Sequence, residues 1–186
     1  MKLAVSILLI ACILAGCSTN DALMDQAMQL RKTILEADGC SFQAVITADY
    51  GDELYTFQMD CNTDNTGKLQ FTVLDPETIS GITGTISRNS AELTFDQKVL
   101  AFPMLADNQL TPVTAPWIFI NTLRSGYLTG CGSEGDNLQI YIDDSYEEHP
   151  LHLEILTDEN LLPVQAEIIW QDRRILCMDI RNFNIK

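Results

Sequence analysis

Cys40-Ser-Phe-Gln-Ala-Val-Ile-Thr-Ala-Asp-Tyr-Gly-Asp-Glu-Leu-Tyr-Thr-Phe-Gln-Met-Asp-Cys61 is the stretch whose reading decides the fold. Phe42, Ala44 and Ile46 fall on the face of Cys40, and Tyr55, Phe57 and Met59 fall on the face of Cys61. Side chains two apart share one side of a strand, so each half reads as a strand with one apolar face. Asp49-Tyr50-Gly51-Asp52 supplies turn residues between them. In a hairpin centred there, directly opposed residues have numbers that sum to 101, as 40 and 61 do. Both thiols then lie on the apolar side, and opposed non-hydrogen-bonded residues stand about 4.5 Å apart at Cα, within disulfide range.

Downstream the period of two persists. Leu69, Phe71 and Val73 alternate with Gln70 and Thr72. Ile82–Arg88, Glu92–Phe95 and Val99–Phe102 follow, with a turn at Arg88-Asn89-Ser90. Leu138–Ile142, Leu151–Leu156, Val164–Trp170 and Arg174–Ile180 complete the series, the last two joined at Gln171-Asp172. Roughly ten or eleven short strands separated by turns indicate a mainly β chain with α elements added, an antiparallel sheet or barrel rather than a βαβ fold.

Two segments break the pattern. Asp21–Ala37 carries Leu23, Ala27, Leu30 and Ile34 near helical spacing, with Asn20 or Asp21 to cap it and Gly39 to end it. Thr111-Pro-Val-Thr-Ala-Pro116 leads into Trp117-Ile-Phe-Ile-Asn-Thr-Leu-Arg124, closed by Gly126. Thr114 is placed to cap and Pro116 to occupy the first turn. This helix is apolar around most of its circumference and must be covered on both sides, as a core plug or as a lid.

The N-terminus is a targeting segment. Lys2, the apolar run Leu3–Ile13 and the small residues before Cys17 have the layout of a secretory signal. The run is too short for a spanning helix, which needs about 20 apolar residues. Leu14-Ala15-Gly16-Cys17 resembles the bacterial lipobox, in which the cysteine takes a diacylglyceryl group and becomes the new N-terminus. The expected organisation is a signal peptide over 1–16, a lipidated tether over 17–21 and one domain over 22–186. The expected location is the extracytoplasmic face of a cell membrane. Two acyl chains anchor stably where one does so marginally.

The chain holds 11 basic and 26 acidic side chains, for a formal net charge of −15. Such a body is repelled by phosphate backbones and anionic headgroups, which argues against nucleic-acid binding and leaves membrane attachment to the lipid on Cys17. After Cys17 come Cys40, Cys61, Cys131 and Cys177, with no Cys-x-x-Cys and no zinc spacing. An even number in an exported chain suggests disulfides. The hairpin register favours Cys40–Cys61, leaving Cys131–Cys177 by elimination. Buried free thiols are the alternative.

No catalytic constellation stands out. His149 and His152 lie in Glu147-Glu-His-Pro-Leu-His152 beside Asp143 and Asp144, which reads as a solvated hairpin loop. Asp60-Cys-Asn-Thr-Asp-Asn65 begins like a calcium loop, but Asn65 and Phe71 stand where an EF-hand needs Gly and Glu. There is no Gly-x-Ser-x-Gly elbow and no phosphate-cradling loop. The chain is expected to be no enzyme and to need neither metal nor cofactor.

Leu69-Gln-Phe-Thr-Val-Leu-Asp-Pro76 running into Ile79–Ile82, the Glu92–Phe102 hairpin, Ala115-Pro116 opening a helix, and Pro163–Trp170 through Asn182-Phe183 together resemble the LolA/LolB-like superfamily of lipoprotein carriers and receptors. They look closer still to its lipidated clostridial members, spore-germination lipoproteins among them. The resemblance implies a curved, incompletely closed antiparallel barrel around an apolar cavity, with helices as lid. Its wall would draw on Phe71, Val73, Leu93 and Phe95, with Trp117 and Phe119 from the helix. An acyl chain of a dozen methylenes would gain roughly 10 kcal/mol there before ordering costs, at about 0.8 kcal/mol per CH₂. The soluble carriers of that family are not lipidated. A tethered member is therefore also read as a non-catalytic structural or regulatory partner of another envelope protein.

Overall fold

The computed structural model describes residues 18–49, 51, 54–88, 90–95, 98–101, 105–106 and 109–186. Eleven antiparallel strands form one open sheet. The first meander runs β1 (Gly39–Asp49), β2 (Leu54–Asp64), β3 (Leu69–Asp75), β4 (Thr83–Ser87), β5 (Ser90–Phe95) and β6 (Lys98–Ala101). A two-stranded ribbon, β7 (Leu105–Ala106) and β8 (Gln109–Leu110), stands apart from the sheet. The second meander runs β9 (Tyr127–Glu134), β10 (Asn137–Asp143), β11 (His152–Thr157), β12 (Pro163–Trp170) and β13 (Arg173–Ile185). Pairing of β1 with β13 joins the two halves, so β6 and β9 are the open edges.

The alternation in the sequence sets the faces. Along β1, Cys40, Phe42, Ala44, Ile46 and Ala48 are buried, while the residues between them are half-exposed. Leu138, Ile140 and Ile142 do the same on β10, and Leu176, Met178 and Ile180 on β13. These inward residues and both helices form one continuous core. The turn at Gln171-Asp172 has positive φ at both residues, the backbone a type I′ hairpin requires.

The first helix, α1, spans Ser18–Glu36, so the polar residues 18–21 are helical. Ala27, Leu30 and Ile34 are buried and Leu23 packs at the margin of the core. The second helix, α2 (Ala115–Ser125), follows a 3₁₀ turn over Pro112–Thr114. The Thr114 hydroxyl donates back to the Thr111 carbonyl, so Thr114 makes no side-chain cap. Eight of the eleven α2 residues are buried, as an apolar circumference demands. In this structure α2 is a plug.

The cysteine pairing is corrected. Opposed residues of β1 and β2 sum to 103: Cys40 faces Thr63 and Cys61 faces Phe42. Four residues, 50–53, separate the paired ends Asp49 and Leu54 where a two-residue turn was expected. The two thiols are therefore diagonal neighbours, at about 7–8 Å, beyond disulfide reach. Cys131 pairs across from Ile140 on the core side of edge strand β9. Cys177 pairs with Thr47 and Glu167 on the other face of β13, four strands away. All four of these thiols are free. Cys17 lies outside the described residues.

Candidate ligand-binding site

The expected site residues whose side chains are described occupy the inner face of the sheet and the helix against it. Phe71 and Val73 project inward from β3 and are buried; Leu93 on β5 packs at the edge of the core. Phe95 ends β5, and its side chain lies outside those described. From α2, Trp117 is nearly buried and Phe119 is wholly so.

Phe119 meets two rings that sequence reasoning did not place in the site. Its centroid lies 5.8 Å from Phe42 on β1 and 6.2 Å from Phe183 on β13, edge-on to both. Phe42 and Phe183 stack at 5.5 Å. Offset and edge-to-face ring pairs in this range add about 0.5–1.5 kcal/mol beyond their burial. The rings join α2 to the pair of strands, β1 and β13, that links the two meanders. Phe42 was visible as a residue on the Cys40 face. Only the long-range β1–β13 pairing brings it beside Phe183.

Phe71 also explains a glycine. Gly84 on β4 lies directly opposite it, and the ring covers the position that a Cβ would occupy. The Glu92 carbonyl oxygen would stand 2.8 Å from that Cβ. Close approach thus accounts for this glycine. Gly81 lies outside the strands, in a turn at φ +85°.

Two arginines fasten α2. Arg31 on α1 donates through Nε to the Leu123 carbonyl at 2.8 Å, while Arg124 on α2 donates to the Ile34 carbonyl at 3.2 Å. Each helix thereby satisfies a late carbonyl of the other, where the dipole favours a cation. Arg124 also donates to the Asn65 carbonyl at 2.7 Å, which ties in the β2–β3 turn. That turn is built on Asp64, whose carboxylate accepts from the Thr66 hydroxyl at 2.6 Å and from the Thr66 and Lys68 amides. The Thr66 hydroxyl bond foremost holds its pKa below the usual value. The calcium-like segment is therefore spent on a turn.

The inner face offers little to acid–base chemistry. Its polar groups bond locally: the Thr63 hydroxyl accepts from the Cys40 amide, and the Thr157 hydroxyl donates to the Leu138 carbonyl. Burial raises the thiol pKa of Cys40, Cys61 and Cys131, which suppresses their nucleophilic form. His149 is exposed, and His152 lies 2.7 Å from Asp143 and 3.8 Å from Glu154. Among the described residues, no group of three or more His, Cys, Asp or Glu side chains is arranged to hold a metal ion.

No family model matches the chain, and neither does any curated protein sequence. Solved folds similar to it include a conserved protein of Thermus thermophilus, at TM-score 0.48 and 8% identity over 86% of this chain and 87% of that one. A LolA superfamily protein of Nitrosomonas europaea gives 0.45 and 7% over 86% and 93%. The lipoprotein LppX of Mycobacterium tuberculosis gives 0.44 and 11% over 89% and 97%. Each likeness is one of fold and brings no ligand or partner with it.

Proposed function

We propose that this protein is a membrane-anchored bacterial envelope lipoprotein that holds an apolar ligand, a lipid or lipoprotein acyl chain, against the inner face of its sheet. In this reading residues 1–16 are removed, Cys17 carries the acyl anchor on the extracytoplasmic face, and 22–186 form the working domain. The observation that carries it is the sealing of the inner face: the sheet stays open between β6 and β9, and a separate apolar helix covers its interior. In this reading α2, the plug of the structure, is held by three arginine hydrogen bonds and moves aside to admit the ligand. Displacing α2 would free Phe42 and Phe183 from Phe119, and in this reading the ligand also lies against Phe71, Val73 and Leu93. The binding is non-catalytic.

The test is solvent extraction and mass spectrometry of protein purified from its native membrane, with Trp117 fluorescence followed as fatty acid is added. Recovery of near-stoichiometric lipid and a fluorescence change lost in Phe119→Ala support the reading. A lipid-free protein that is blind to added acyl chains overturns it.

One observation favours a second reading. Phe119 is wholly buried against Phe42 and Phe183, so side chains already occupy the space beneath α2. A filled open barrel suits a structural or regulatory envelope component that acts through its surface. Crosslinking in the native envelope would then recover one protein in fixed ratio.

A further inference from the structure

The sheet has a second face, away from the helices, where β1–β5 present their polar residues. A trough of about 670 Å³ crosses it, within the size range of small-ligand sites. Its lining follows the register. One cross-strand row runs Gln43, Asp60, Thr72, Thr83, Thr94, each opposite the next on β1 to β5. A parallel row runs Ser41, Asn62, Gln70, Thr85 on β1 to β4. At about 4.8 Å per strand, the longer row spans roughly 19 Å.

These side chains hold unspent hydrogen-bonding capacity. Among the described residues, Gln43, Asp60 and Thr72 in the first row make no side-chain hydrogen bond within the protein, nor do Ser41, Gln70 and Thr85 in the second. Asn182 joins them through a deformation of β13. The pairing steps from Ser41–Asn184 to Gln43–Arg181, so Asn182 is the extra residue of a bulge, at φ +53°. Bulges re-aim side chains, and a non-glycine residue with positive φ inside a strand is uncommon.

The lining chemistry selects its ligand. An apolar molecule would leave hydroxyls and amides unpaired, at about 1–3 kcal/mol for each one buried. An anion would meet Asp60 on a chain of net charge −15, and the ammonium at the trough, that of Lys186, is already bonded to the Asn62 side chain at 2.7 Å. A polycation would find one carboxylate among uncharged groups. What remains is a neutral, extended, hydroxyl-rich chain that both donates and accepts at each step. We propose that this trough binds a neutral β-linked glycan strand laid across β1–β5, with the strand spacing matched to its sugar repeat and Asp60 accepting from its hydroxyls. The trough also borders Phe42, Cys61, Phe71 and Gly84 of the same strands, whose alternation puts them on the inner face, while its polar side chains stand on the opposite face.

The test uses the full chain purified in detergent and two neutral probes, the β-1,4 tetramer of N-acetylglucosamine and cellotetraose, followed by calorimetry. Binding of either probe is expected, and preference between them reports whether acetamido groups are read. Gln70→Ala should weaken binding about 10-fold, the size of one lost hydrogen bond of roughly 1.4 kcal/mol. Thr83→Arg should block it, because a long side chain at this exposed position fills the trough without touching the core. Thr56→Ala, exposed on β2 beyond the trough, should bind as the parent does. Absence of binding by both probes at millimolar concentration, or binding indifferent to Gln70→Ala and Thr83→Arg, overturns the proposal.

Discussion

Cys61 faces Phe42 across the β1–β2 ladder, and Cys40 sits two pairs further along beside Thr63. Both thiols are sealed in the core, and desolvation raises their pKa values above the ordinary range. The unfolded chain ionises its thiols near pH 8.5, whereas the folded chain keeps these protonated to higher pH. Above that point the unfolded state binds fewer protons, so the stability contributed by the neutral thiols is present below about pH 8.5 and falls as pH rises. Urea unfolding from pH 7 to 10 should therefore show a falling midpoint that is flatter in Cys61→Ala, itself destabilised at pH 7 by the cavity it leaves. Alkylation under native conditions should label Cys177, on the outer face, before Cys40 or Cys61. A midpoint lowered by reductant alone would revive the disulfide. The sequence pattern misplaced this pair for a specific reason. Alternation decides which face a residue takes, and a register offset of two leaves every face unchanged. Only the length of the 50–53 loop separates the two registers.

Between elements, the legible parts were those with strong periodicity. α2 announced itself by Pro116, Gly126 and an apolar circumference, and most strands by alternation. β9 was not anticipated because Gly130 and Gly132 remove side chains from the pattern. In the structure those glycines lie against the Tyr141 side chain, 3.5 Å from where their Cβ atoms would be. The arginine exchange between α1 and α2 had no local signal, since each partner is a backbone carbonyl some ninety residues distant. Its two halves differ in worth. Arg124 makes two bonds to two different elements, while Arg31 makes one and leaves Nη2 buried without a partner. Arg124→Ala should cost about 1–3 kcal/mol in urea unfolding, through unpaired carbonyls at Ile34 and Asn65. Arg31→Met should cost less, because it removes an unsatisfied nitrogen together with the bond. Hydrogen exchange should quicken along α2 in Arg124→Ala; unchanged α2 protection would remove the clamp from the account of how the inner face is sealed.

For the whole molecule, antiparallel order, the faces and the two helices followed from sequence, but closure did not. The join of β1 to β13 pairs residues near opposite ends of the chain, and no local pattern encodes a contact of that separation. It nevertheless places β13 at the centre of the sheet, with β1 on one side, β12 on the other and Phe183 in the ring cluster. Loss of β13 therefore separates the meanders and removes one wall of α2. Ile180→Pro tests this directly, since proline in a central strand deletes a ladder donor and is tolerated essentially only at edges and bulges. It should abolish cooperative unfolding of the whole domain. Thr129→Pro is the matched control. Thr129 is the extra residue of a bulge on edge strand β9, where the pairing steps from Gly130–Tyr141 to Leu128–Ile142 and proline is tolerated. A single cooperative transition retained in Thr129→Pro and lost in Ile180→Pro would establish β13 as the seam of the fold. Two separate transitions in Ile180→Pro would show instead that each meander holds its own core, contrary to the single core seen here.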